Sequence, residues 1–200
     1  PNGNVLSQVY LNAAQQAGYQ INNDMNGERQ EGFGLMDTTI FNGMRQSTSV
    51  TYLHPIKHRS NLEILTNVTV NKILFEDKKA VGVECKANGE NKKYFSSKEV
   101  LLSAGAINSP QLLMLSGIGP ENELSKYGIE PVECLEGVGK NLQDHLETYV
   151  QYKCKKPVTL HSAQNPLKMA LIGAEWFLFK TGVAAHSNLE TGGFVTVSYT

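Results

Sequence analysis

The 200-residue chain is short of several things that would have settled its class at once. It has three cysteines, Cys85, Cys134 and Cys154. Their odd number and wide spacing exclude a disulfide framework or a zinc site. No run approaches the roughly 18 apolar residues that a membrane span needs. Basic residues are not in excess: 18 Lys and Arg stand against 19 Asp and Glu, for a net charge of −1. Without a basic stripe, nucleic acid is excluded as the expected partner. The short pairs Lys78-Lys79, Lys92-Lys93 and Lys155-Lys156 lie beside turn signals and read as solvated loop charge.

Chemical signatures are scarce too. The five histidines, at 54, 58, 145, 161 and 186, are scattered. His54 and His58 have helical spacing, but Pro55 between them breaks the helix that a metal pair would need. No G-x-S-x-G or H-E-x-x-H occurs. Gly117-Ile118-Gly119 and Gly137-Val138-Gly139 each begin a G-x-G, yet Asn122 and Leu142 stand where a dinucleotide fingerprint requires its third glycine. An initiator methionine and a leader are also missing. The chain opens on Pro1-Asn2-Gly3 and stops within an apparent strand at Val197–Thr200, which reads as an internal fragment of a longer protein.

What is present is a mixed α/β pattern. Asn4 to Ala17 carries helical spacing, with Asn4 as N-cap and Gly18 as stop. Residues 22–34, rich in Asn, Gly and Glu, read as loop, and Thr48–Leu53 as a short helix or turn ending before Pro55. Four strand-like runs follow: Leu62–Thr66, Thr69–Phe75, Ala80–Cys85 and Lys92–Phe95. Turn signals at Glu76–Lys79 and Asn88-Gly89 make this block an antiparallel meander. Val100–Leu102 is an unbroken apolar run, as in a strand covered on both faces. Ser109-Pro110 reads as N-cap and first residue of a helix ended by Gly117, and Pro120 opens another that Gly128 ends. Further on, Leu146–Lys153, Val158–His161 and Gly192–Val197 read as strands, and Pro166–Lys180 as a long apolar helix. Trp176, Phe177 and Phe179 on that helix serve either core or pocket.

The stretch VLLSAGAINSPQLLMLSGIG, residues 100–119, concentrates small side chains where a strand hands over to a helix. At the carboxyl edge of an open α/β sheet, Ala104, Gly105 and Ala106 let a ligand lie against the backbone, and the helix aims free N–H groups at the same place. That arrangement suits an anionic dinucleotide. A tight crossover that needs small residues only for packing is the alternative.

The same stretch resembles, position by position from Gly105 to Gly119, the second signature of the glucose–methanol–choline (GMC) oxidoreductase family. Residues 61–73 are similar to its adenine-side hairpin, and Val138–His145 to its V-G-x-N-L-Q-D-H segment. Within the family the chain is most similar to the insect branch that includes FAD-dependent glucose dehydrogenase. The resemblance implies an FAD-binding, Rossmann-like domain with an antiparallel meander over residues 1–147, and the start of a substrate domain with an antiparallel sheet and helices over 148–200. It implies hydride transfer from the CH–OH group of an alcohol or sugar to FAD, with electrons passed to a quinone-like acceptor. A related alcohol or steroid oxidase using oxygen, and a non-catalytic family member that acts as a binding protein, stay open.

By the same resemblance Val70 contacts the adenine through its backbone, and Ser103, Ala104 and Gly105 line the adenosine side of FAD. Asn141–His145 lies on an extension near the cofactor, where Asp144 and His145 have a structural, hydrogen-bonding role. The family's glycine fingerprint falls before Pro1 and its catalytic histidine after Thr200, so no catalytic residue is assigned to this segment. The insect relatives imply secretion. The glycosylation triplet Asn67-Val68-Thr69 opens the adenine-side hairpin and is expected to stay unmodified.

Overall fold

The structure, a computed structural model, describes residues 4–187 and 189–196. In chain order the elements are α1 (Val5–Gln16), β1 (Gly32–Leu35), β2 (Ile40–Phe41), β3 (Met44–Arg45), β4 (Val68–Glu76), β5 (Lys79–Ala87) and β6 (Glu90–Phe95). They continue with α2 (Gly105–Leu115), β7 (Ile118–Gly119), α3 (Glu121–Lys126), β8 (Glu133–Cys134), α4 (Pro166–Phe179) and β9 (Thr191–Phe194). The chain divides into two compact units, one of residues 1–62 with 150–200, the other of residues 63–149. Among the described residues no helix is long and apolar enough to cross a membrane.

The discontinuous unit begins with α1, capped as the sequence predicts: the Asn4 side chain accepts the Leu6 amide at 2.9 Å. No acidic residue occupies the first turn of α1. Glu190 supplies the missing charge from the far end of the chain. Its Oε2 accepts the Asn4 amide at 2.7 Å and the Ser7 hydroxyl at 2.6 Å. An anion at that end complements the helix dipole. Glu190 leads directly into β9, which pairs antiparallel with β1, Leu35 opposite Thr191. The loop expected over 22–34 therefore gives way to a strand at Gly32. Its run is short and glycine-rich, and it is defined by a partner about 160 residues away in sequence. Phe33 of β1 packs between Tyr10 and Tyr19, ring centroids 5.6 and 5.0 Å away.

The helix α4 spans nearly the range expected of it, Pro166–Phe179. Asn165 caps it by accepting the Leu167 and Lys168 amides, and Pro166 takes the first position. Its aromatics split in role. Trp176 is half-buried and donates its Nε1–H to the Gly43 carbonyl at 2.7 Å, with the Lys180 ammonium 3.9 Å from its ring centroid. Phe177 and Phe179 are exposed. Val158–His161 is not a strand: a 3₁₀ turn over Leu160–Gln164 takes its end. Leu146–Lys153 is likewise no strand, since no described segment pairs with it. Val197, expected to end the last strand, lies outside the described residues.

The second unit is built on the predicted meander. β4, β5 and β6 pair antiparallel in that order. Two-residue turns join them at Asp77-Lys78 and Asn88-Gly89, all four residues at positive φ, the type I′ geometry that matches strand twist. The pairing slips between Val70 and Lys72, leaving Asn71 as a bulge. Leu62–Thr66 forms no strand. The core gathers Ile73, Cys85, Ala87, Leu124 and Pro120. Among them lies one polar side chain, Ser116, whose Oγ accepts the Ile73 amide at 2.8 Å and donates to the Leu112 carbonyl at 2.6 Å. Gly117 ends α2 in the left-handed region, as predicted, and Gly119 runs into a short parallel pair, β7 with β8.

A pH test follows from Glu190. The Ser7 hydroxyl first, then the Asn4 amide, hold its carboxyl below its ordinary 4.5, with the nearby His186 adding a smaller pull in the same direction. A lowered folded value means a contribution that is complete above pH 4.5 and lost as pH falls from there through the folded value. The stability gap between the wild type and Glu190→Gln, read from urea midpoints, is expected to be widest near neutrality and to close on acidification below that point. A gap that stays constant down to pH 3 would refute the assignment.

Candidate functional site

The small-residue stretch forms the head of α2, with a start different from the one its Ser109-Pro110 pair suggests. The helix begins at Gly105, and Pro110 is its sixth residue. There the ring withholds an amide from the carbonyl of Ala106, an exposed residue. Ser109 does not cap the helix. Its hydroxyl reaches back to accept the Ala104 amide at 3.1 Å and closes the opening turn from within. Ala104, at the cap position, has no side chain with which to accept an amide. The leading N–H groups of α2 are thus left facing outward with the positive end of the helix dipole.

Around this head the backbone is open. Ser103, Ala104 and Gly105 are all exposed. Gly105 has φ +86°, and a Cβ added to it would meet no atom within 4 Å. Leu101, expected in a buried strand, is 82% exposed, because no described strand lies beside residues 100–103 to pair with it. Val70 sits on β4, paired with Cys85 immediately before the bulge and 39% exposed. Among the described residues β4 pairs with β5 alone, and on its outer edge the Ile73 amide is taken up by Ser116. The predicted residues thus lie on two elements that pack together, Val70 on β4 and Ser103–Gly105 at the head of α2.

Along the flank of α2 runs a groove of about 810 Å³ between Ile107, Pro110 and Met114 on one side and Gly139–Gln143 on the other. Gly139 permits the approach: a Cβ there would come within 3.2 Å of the Met114 methyl. The V-G-x-N-L-Q-D-H segment is therefore laid against the same helix. Asp144 does not pair with the ring of its neighbour. Its Oδ1 accepts the backbone amide of His145 at 2.8 Å. Among the described residues no His, Cys, Asp or Glu group is placed to hold a metal ion. Ser116 and the Asn71 bulge went unnoticed in the sequence. The serine was legible only as part of a helix stop, and its partner Ile73 lies 43 residues upstream.

A helix start with no side-chain cap, preceded by exposed small residues, is a place where an anionic ligand can meet backbone N–H groups in an α/β protein. Comparison with known proteins takes the next step. The family profile described as GMC oxidoreductase matches residues 1–147, and the chain belongs to that family. It is 56% identical over 188 residues to the mitochondrial choline dehydrogenase of Homo sapiens, covering 94% of this chain and 32% of that protein. It is 51% identical over 195 residues to the oxygen-dependent choline dehydrogenase of Staphylococcus xylosus, covering 98% and 35%. A solved formate oxidase superposes with a TM-score of 0.81 at 26% identity, over 94% of this chain and 33% of that one. An FAD-dependent oxidoreductase from Chaetomium thermophilum does so with 0.78 at 29%, over 96% and 34%. The chain spans about a third of the length of the curated relatives it matches. These findings indicate FAD as the cofactor.

Two glycines with nearly the same φ, one opening α2 and one just past its end, isolate the open space. Gly105 (+86°) faces nothing, whereas a Cβ on Gly117 (+89°) would press to 2.6 Å from the Glu130 carbonyl oxygen. Gly105→Ala is expected to cost only the about 1–2 kcal/mol of a left-handed residue, and Gly117→Ala clearly more. Equal losses in chemical denaturation would contradict an open helix head.

Proposed function

We propose that the full-length protein oxidises the CH–OH group of a small alcohol by FAD-dependent hydride transfer, and that its substrate is of the choline type, an alcohol beside a quaternary ammonium. Identity of 56% across nearly the whole chain to a choline dehydrogenase is the observation that carries this reading. The glucose reading drawn from the insect branch finds no relative of that name among the proteins compared above. The bacterial relative, named as oxygen-dependent, favours oxygen as an electron acceptor beside the quinone-like one.

In this reading residues 1–147 serve the cofactor and residues 148–200 begin the substrate domain. When bound, FAD supplies the hydride acceptor for the alcohol carbon. The residues of this chain bind and orient. Val70 offers backbone groups on the free edge of β4 to the adenine. Ser103, Ala104 and Gly105 leave room for the adenosine side, and the head of α2 directs its N–H groups there. Asn141–Gln143 flank the helix beside them. Base catalysis of hydroxyl deprotonation is assigned to none of these residues.

Anaerobic visible spectra of the purified full-length protein test the proposal. Flavin absorption that bleaches with choline and persists with glucose is expected. Bleaching by glucose alone would overturn the substrate class, and flavin that stays oxidised with every alcohol would overturn the catalytic reading. Reoxidation by dissolved oxygen or only by an added quinone then identifies the acceptor.

A further inference from the structure

Ser116 closes α2 with a side chain that is 1% exposed and fully engaged. It accepts from Ile73 and donates to Leu112. Ile73 lies in β4 opposite Val83 of β5, and its amide points to the outer edge of the meander, where no described strand supplies an acceptor. The hydroxyl fills that place. It ties a strand edge to the C-terminal end of a helix through one atom. Three residues before Ile73 on the same edge is Val70, with the Asn71 bulge between them. At the other end of the helix is Gly105.

The lever arm is long. Eleven residues of α-helix extend about 16 Å, so a tilt of roughly 5° about the anchored end displaces the head by about 1.4 Å. Misplacement on the order of 1 Å is enough to spoil a preorganised site. Leu124, Pro120 and Cys85 are the other large side chains buried as deeply as Ser116.

We propose that Ser116 is a positioning residue for the adenosine half of FAD. It holds the Val70 edge of β4 and the Ala104–Gly105 head of α2 in one arrangement without touching the cofactor. The inference rests on the reading that these two elements face the adenosine side.

The test uses flavin-stripped full-length protein, titrated calorimetrically with FAD, ADP and FMN, with the thermal midpoint of each apo-protein measured alongside. Ser116→Ala is expected to weaken FAD and ADP at least tenfold and to leave FMN, which lacks the adenosine, within twofold. Ser116→Thr, which keeps the hydroxyl, is expected to hold ADP within threefold of wild type. Should Ser116→Ala not fold, Ser116→Cys serves in its place, with a several-fold loss of ADP affinity and none of FMN expected. Equal losses of ADP and FMN, or a lowered midpoint with ADP affinity intact, would overturn the proposal. Gly105→Val separates it from the reading beneath it. If that variant weakens ADP while Ser116→Ala and Ser116→Cys do not, the positioning role alone fails. If it leaves ADP unchanged, the cofactor edge itself is misassigned and both fall.

Discussion

One buried hydroxyl sets the geometry of the continuous unit. The outer edge of β4 carries amides that need acceptors, and inside a protein an unpaired amide costs about 1–3 kcal/mol. At Ile73 the acceptor is Ser116, whose proton returns to the helix it terminates. Other features follow from that junction. Gly117 turns the chain out of α2 in the left-handed region, because a side chain there would strike the Glu130 carbonyl. Gly119 leaves room for Met114, whose far end in turn lies against Gly139. The serine and glycines of S-G-I-G are thus a packing device, while Ala104 and Gly105, twelve residues before Ser116 and Gly117, are exposed. The two groups of small residues look alike in sequence and have opposite reasons for being small.

The discontinuous unit solves a comparable problem by charge. α1 has no acid of its own in its first turn, and Glu190, nearly the whole chain away, completes it. That carboxylate stands immediately before β9, which pairs with β1. Trp176 acts in the same unit as a bolt, its indole N–H on the Gly43 carbonyl and its face under Lys180. A ring so occupied on edge and face belongs to the framework.

Local chemistry made much of this legible. The cap Asn4, the stops Gly117 and Gly128, and the turns within Glu76–Lys79 and at Asn88-Gly89 each act within four residues. Non-local pairing was not legible. Residues 100–102 and 146–153 have strand composition and no partner among the described residues, whereas Gly32–Leu35 has poor strand composition and does have one. The start of α2 was misread because Ser109 satisfies an amide five residues back, while the usual N-cap satisfies one ahead. At the site, the small residues announced an open backbone, but the hydroxyl that aims it could not be paired with Ile73 from spacing alone.

In the proposed function the cofactor lies at the head of α2 and along the edge of β4. Hydrogen exchange of the full-length protein, with and without bound FAD, tests this most directly. The account predicts that FAD slows exchange together at the amides of residues 104–108 and 68–72. Protection elsewhere in the protein with both of these segments unchanged would contradict it.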